Sequence, residues 1–271
     1  MAFNSISLTR LAASVAASMK AEAPAQAEEA IAHVEALVRR FSVSGSAQRV
    51  LIFNPDAVGQ WLYERYTQDF LPVTARTQLA MPMLAAFPPV TPVCFATMYT
   101  GTAPSVHGIR KYEKPVVKTD SLFDALTRSG KRVALVAVKD SSMALIFAGK
   151  KIDYYLEADD ESAVKRGLEL IKADRHDFIC VYVEAYDDSI HETEPESPAS
   201  YQALKDHMRQ FAELSDAAEA AWAKYDTLTV FAPDHGIHKA IYGVGDHFAD
   251  IPEDMNMLHF YGFQPANQPT K

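Results

Sequence analysis

Short, wholly apolar strands that recur between helix-like segments, several of them running into an acidic residue, set the tightest limit on what this chain can fold into. Arg49-Val-Leu-Ile-Phe53 is the first, and the stretches Arg132 to Val138, Phe178 to Val183 and Thr227 to Ala232 repeat the type. Helix-like segments lie around them, at roughly Asp120 to Ser129, Asp160 to Ala173 and Tyr201 to Lys224. Strands without polar alternation are buried on both faces, and strands that alternate with helices pair in parallel beneath them. The expected fold is α/β and doubly wound, a mostly parallel sheet with helices on both faces. Such sheets bind ligands beyond the carboxyl ends of their strands. Three strands lead to acids at that end, Asp56, Asp187 and Asp234. One acid there is ordinary; three converging on one edge mark a site.

With 271 residues and 48% hydrophobic composition, the chain can bury a substantial core and is expected to be one domain, 1–271. Residues 5–41 read as two helices, with Leu8, Leu11, Val15 and Met19 on one stripe and Ile31, Val34, Leu37, Val38 and Phe41 on another, broken around Pro24. Together with the connector Ser42 to Ser46, they are expected to form a helical N-terminal extension, 1–46, whose stripes serve core packing or a homo-oligomer contact. The 26 basic and 35 acidic residues leave a net charge of −9 with no basic run, which argues against nucleic acid as a main partner and for a small-molecule substrate. Cys94 and Cys180 sit in apolar runs, as buried free thiols do. The run from Leu11 to Met19 is too weakly apolar for a secretory signal, and no stretch approaches the ~18 apolar residues of a membrane span. A cytoplasmic location and no membrane partner are expected. The tail from Phe263 to Lys271, with Pro265 and Pro269, is expected to be irregular.

The stretch from Phe87 to Ile109 carries the candidate nucleophile. Pro88, Pro89 and Pro92 fix a turned backbone around Thr91, and apolar Val93 to Thr100 starts a buried helix beneath it. Thr91 then sits at a helix N-terminus, where free N–H groups and the positive dipole end favour a phosphate-like anion. Alone, this is a proline-rich loop with one threonine. Three further motifs change its meaning: Asp187-Asp-Ser-Ile-His191, Pro233-Asp-His-Gly236 and Gly245-Asp-His247. A hydroxyl at neutral pH needs help to ionise, and a divalent cation supplies it. Carboxylate and imidazole without thiolate suit zinc, manganese or iron better than calcium or magnesium. Asp56, Thr91, Asp187, His191, Asp234, His235 and His247 are too many donors for one tetrahedral ion, but suit two ions about 4 Å apart. Asp187 and His191 are one helical turn apart, and Gly236 permits the irregular turn that Asp234 and His235 need. Asp188 competes with Asp187, though the spacing to His191 favours Asp187.

The order NPDAVG, PPVTPVCFATMYTG with HGI, YDDSIH, PDHG and GDH resembles the alkaline phosphatase superfamily, specifically its type I phosphodiesterase and nucleotide pyrophosphatase branch, from about Arg49 to Gly262. The resemblance implies two metal ions, zinc with manganese as the alternative. One would be held by Asp56, Thr91, Asp234 and His235, the other by Asp187, His191 and His247. It implies that Thr91 attacks phosphorus and passes through a phosphothreonine. Two departures stand out: Phe248 follows His247 where the family commonly has glycine, and Arg110-Lys111-Tyr112 takes the place of an asparagine that binds a phosphoryl oxygen. Those three are the substrate-binding candidates, and their charge would favour a phosphate dianion. The expected function is a dinuclear metal-dependent phosphodiesterase. The alternatives are a phosphomonoesterase, phosphonate hydrolase or mutase on the same fold, and a non-catalytic metal-stabilised binding protein. Cys94 lacks a sulfatase pattern and reads as core; His107 reads as a structural hydrogen-bonding residue; His238 reads as a surface or supporting one. His33, His176, His207 and His259 read as solvated or packing residues.

Overall fold

The computed structural model describes residues 2–267. Its main sheet has eight strands in the order β1-β3-β10-β7-β2-β6-β4-β5, with β1 at Ile6–Ser7, β2 at Arg49–Pro55, β3 at Leu79–Leu84, β4 at Val133–Val138, β5 at Asp153–Glu157, β6 at Phe178–Val183, β7 at Thr227–Phe231 and β10 at Asn256–Gln264. A two-stranded hairpin, β8 (His238–Lys239) and β9 (Gly245–Asp246), lies outside it. Every pairing in the main sheet is parallel except those of β10, which runs against both β3 and β7. Strands β2 and β6 are buried along their whole length, as the apolar runs Val50 to Phe53 and Phe178 to Val183 require.

Because side chains alternate along a strand, each central strand feeds two cores. Val50 and Ile52 of β2 and Phe178, Cys180 and Tyr182 of β6 face one core, which holds the helices Arg10–Ser18, Ala32–Phe41, Thr91–Thr100 and Leu122–Arg128. Leu51 and Phe53, with Ile179, Val181 and Val183, face the other, which holds Asp160–Ala173, Ala185–Glu192 and Pro198–Ala221. The doubly wound expectation holds. Among the described residues no helix is long and apolar enough to cross a membrane.

The two N-terminal helices lie where the sequence places them, but they do not stand apart as an extension. Leu8, Leu11, Val15 and Val34 are fully buried in the same core as β2, and β1 pairs with Met83 and Leu84 of β3. Gly101, at φ +70°, lets this layer close in: a Cβ there would sit 2.5 Å from the Ala27 Cβ. The apolar stripes are thus packed into the chain's own core, with Phe41 partly buried against it. Four strands of the main sheet, β1, β3, β5 and β10, escaped the apolar pattern. β3 carries Pro82, which sits where β1 no longer pairs, and β10 carries Asn256, His259 and Gly262 among its apolar residues. The tail expected from Phe263 onward is correspondingly corrected: Phe263 and Gln264 belong to β10 and pair with Leu228 and Thr227. Residues 265–267 are irregular, and the remainder of that expectation, 268–271, lies outside the described residues.

Candidate active site

Strand β2 ends at Pro55 and delivers Asp56, 1% exposed, at the carboxyl edge of the sheet. Neighbouring β7 runs on through Ala232 and Pro233 to Asp234 and His235, both fully buried. On the other side of β2, β6 leads into the helix Ala185–Glu192, which carries Asp187 and His191 one turn apart. The start of that helix is fixed from a distance. The Asp160 carboxylate accepts the N–H groups of Glu184 and Ala185 at 3.0 and 2.9 Å, and His207 Nε2 accepts that of Tyr186 at 3.3 Å. These are the unpaired donors of a first helical turn. Thr91 is the first residue of the helix Thr91–Thr100, 4% exposed, after an extended Val90.

The seven residues singled out in the sequence meet. His235 Nε2 lies 3.4 Å from Thr91 Oγ1, 3.4 Å from Asp56 Oδ1 and 3.4 Å from Asp234 Oδ2. Asp187 Oδ1 is 3.5 Å from Nε2 of both His191 and His247, and those two nitrogens are 3.1 Å apart. The rings of His235 and His247 stack at 4.2 Å. Asp187 is the acid in contact, whereas Asp188 is exposed.

Three observations say that this cluster fits divalent cations. Asp56 Oδ1, Asp187 Oδ1 and Asp234 Oδ2 are buried without a hydrogen-bond partner, a costly state for carboxylates. His235 Nδ1 is tied to the Gly236 carbonyl at 2.9 Å and His247 Nδ1 to that of Pro89 at 2.8 Å. A carbonyl only accepts, so Nδ1 carries the proton in each ring and Nε2 presents a lone pair to the cluster. Finally, ligand atoms of Asp187, His191 and His247, and of Asp56, Asp187 and His235, each fall within 4.8 Å of one another.

The electrostatics agree. Burial, with the charges of Asp234 and Asp187, pushes Asp56 well above the usual carboxylate range, and burial pushes Asp234 up to about 6. Burial also presses on Asp187, but the neighbouring imidazoles, His191 first, outweigh it and hold this acid low. Burial drives His247 down to about 3, which keeps it neutral and able to ligate. Without added positive charge, three buried carboxylates cannot all ionise.

Other groups were not legible beforehand. The Tyr182 hydroxyl donates to Asp56 Oδ2 at 2.5 Å and lies 3.0 Å from the Glu184 carboxyl. Burial pushes Glu184 up to about 7, against the lowering pull of its Tyr182 hydrogen bond. Arg110, Lys111 and Tyr112 are exposed, and their contacts are with Ser105, Glu113 and Lys114, none of them in the cluster. Lys114 is the cation whose charge acts on Glu184. His107 Nε2 meets Thr97 Oγ1 at 3.0 Å while Nδ1 accepts from Ile109, the structural role expected of it. Cys94 is fully buried. Surface cavities of about 850 and 520 Å³ open elsewhere and contain none of the seven residues.

Residues 50–132 match the model of a family described as type I phosphodiesterase / nucleotide pyrophosphatase. Asp56 and Thr91 lie inside that segment, and the other five residues lie beyond it. No curated protein matches the chain in sequence. Among solved structures, murine ectonucleotide pyrophosphatase / phosphodiesterase 5 is similar at 20% identity and a TM-score of 0.55, over 71% of this chain and 58% of that one. Phosphonoacetate hydrolase from Sinorhizobium meliloti 1021, solved with phosphonoacetate, is similar at 17% identity and a TM-score of 0.53, over 70% and 57%. BT1596, a 2-O GAG sulfatase, is similar at 14% identity and a TM-score of 0.55, over 81% and 64%. The chain spans less than two thirds of the length of these structures, and at such identities the likeness is one of fold.

Proposed function

We propose that this chain, which matches the type I phosphodiesterase model over residues 50–132 and has the alkaline phosphatase-type fold, hydrolyses phosphoric esters with Thr91 as nucleophile. The observation that carries the proposal is the convergence of three unpartnered buried carboxylate oxygens and three imidazole Nε2 atoms in one cluster, with the Thr91 hydroxyl 3.4 Å from His235 Nε2. Asp56, Thr91, Asp234 and His235 would hold one divalent cation, and Asp187, His191 and His247 a second; zinc or manganese suits such donors. Bound there, the cations would lower the pKa of the hydroxyl and stabilise charge on the phosphoryl oxygens.

Thr91 Oγ1 attacks phosphorus as the ester oxygen departs with the bonding pair, and water then cleaves the phosphothreonine. The helix behind Thr91 is buried along its whole length, so the hydroxyl is held by packing rather than by a mobile loop. The first-turn N–H groups of that helix favour an anion beside the hydroxyl. A form of the murine neighbour described as inactive, with a threonine replaced by alanine, is solved with AMP, which supports both a threonine nucleophile and a diester or pyrophosphate substrate. The likeness to phosphonoacetate hydrolase keeps phosphonates as a second substrate class.

Metal analysis of protein purified without chelator, with assays on bis-p-nitrophenyl phosphate, p-nitrophenyl phosphate and phosphonoacetate, tests the proposal. Bound zinc or manganese and hydrolysis of an aryl ester are expected. Protein that binds no metal and gains no activity from either ion would overturn it. Turnover of phosphonoacetate with esters untouched would replace the ester reading by the phosphonate one.

A further inference from the structure

The cluster needs His247 at a set place, yet His247 directly follows a short hairpin, β8 and β9, that lies outside the main sheet. Asp254, which no motif in the sequence marked, accounts for its position. It is fully buried in the single helical turn Pro252–Met255. Its carboxylate reaches both ligand-bearing segments. Oδ2 accepts the N–H groups of Phe248 at 3.1 Å and Ala249 at 2.9 Å, the two residues after His247, and Oδ1 lies 2.7 Å from His238 Nδ1, three residues after His235. The backbone of the same turn completes the contact: the Asp254 carbonyl accepts from Gly236 at 2.7 Å and the Glu253 carbonyl from Ile237 at 3.0 Å. Residue 236 must be glycine for this, since a Cβ there would sit 2.1 Å from the Glu253 oxygen.

We propose that Asp254 is a positioning residue for the second cation site, fixing His247 beside Asp187 and His191 by clamping the Phe248 and Ala249 amides and tying them, through His238, to the segment that carries His235. The proposal rests on the metal-site assignment above. It differs from a general stabilising role because the carboxylate contacts are made to the ligand-bearing segments alone. Asparagine can replace the clamp: its carbonyl oxygen can accept from the two amides while its NH2 donates to His238 Nδ1. Alanine cannot.

The test is calorimetric titration of chelator-stripped protein with manganese or zinc, with circular dichroism as the check of folding. Wild type should take up two equivalents. Asp254→Ala should keep one near wild-type affinity and bind the other about 10- to 100-fold more weakly, the usual cost of losing an outer partner of a metal ligand. Asp254→Asn should keep both. Unaltered binding of both ions by Asp254→Ala, or equal loss in Asp254→Asn, overturns the proposal. Amide hydrogen exchange of metal-free wild type tests it without a substitution: the Phe248 and Ala249 amides should be protected relative to Ile241 and Tyr242 at the hairpin tip, and equal exchange would overturn the clamp. Wild type that binds neither ion overturns the metal assignment and the role of Asp254 with it; protected amides in that protein would locate the failure in the metal site rather than in the clamp.

Discussion

Removing a carboxylate from the cluster should stabilise the metal-free protein, and Asp234→Asn is the cleanest case. Asp234 is fully buried, and burial raises it from the ordinary 3.8 to about 6, against a partly compensating pull from His235. Its Oδ1 accepts from the Ala57 amide at 3.3 Å, a contact that the asparagine oxygen can keep. The sign follows from linkage. Below 3.8 the group is protonated in both folded and unfolded chains and costs nothing. As pH rises toward about 6, the unfolded chain gives up the proton first, so the folded state loses stability, and the loss is complete above the folded value. Each pKa unit is worth about 1.4 kcal/mol, so the penalty near pH 8 is about 3 kcal/mol. Asp234 also raises Asp56, so its removal relieves a second acid in the same direction. Urea or thermal unfolding in chelator should show Asp234→Asn level with wild type near pH 4 and more stable by about 3 kcal/mol, several degrees in Tm, near pH 8. The same variant should bind cations more weakly, because it lacks an anionic ligand. A variant that is less stable than wild type at both pH values would refute the claim that these acids are crowded for a cation's sake.

Two further outcomes follow from packing. Gly236→Ala sets a Cβ 2.1 Å from the Glu253 carbonyl oxygen, backbone against backbone, and should cost at least the ~1–3 kcal/mol of an overpacked core; a denaturation midpoint equal to wild type would contradict this. A chain starting at Ser46 loses β1 and two helices whose Leu8, Leu11, Val15 and Val34 are fully buried. At about 1.5–3 kcal/mol per side chain these alone rival a typical total stability of about 5–15 kcal/mol. The truncation should fail to fold, and a soluble, cooperatively melting product would show that the helices are the separable extension that the sequence suggests.

What the sequence disclosed was governed by local chemistry. The apolar runs within β2, β6 and β7 point to central strands, and the acids they lead to, with the Asp187–His191 spacing and the Asp234-His235-Gly236 turn, each carry a sign of their role in a few residues. The rest depends on distant partners. Pro82 argues against a strand until β1 is seen to stop at Met83, and β10 becomes a strand by pairing with β3 and β7. Asp160, His207, Tyr182 and Asp254 are ordinary in sequence, and only the fold brings them against the ligand-bearing segments. Arg110, Lys111 and Tyr112 are suggested only by their place in a motif order, not by a local chemical sign; their side chains are exposed and contact Ser105, Glu113 and Lys114.

The most direct test of the proposed mechanism is rapid acid quench of metal-loaded enzyme turning over an aryl phosphate ester, followed by mass spectrometry of the peptide that contains Thr91. A covalent phosphoryl or phosphodiester adduct should be found on Thr91. Thr91→Ala should carry none, should lose orders of magnitude in turnover, and should still bind cations through its six carboxylate and imidazole donors. Turnover by Thr91→Ala at near wild-type rate, with no adduct on the wild-type peptide, would contradict the account and favour direct attack by water.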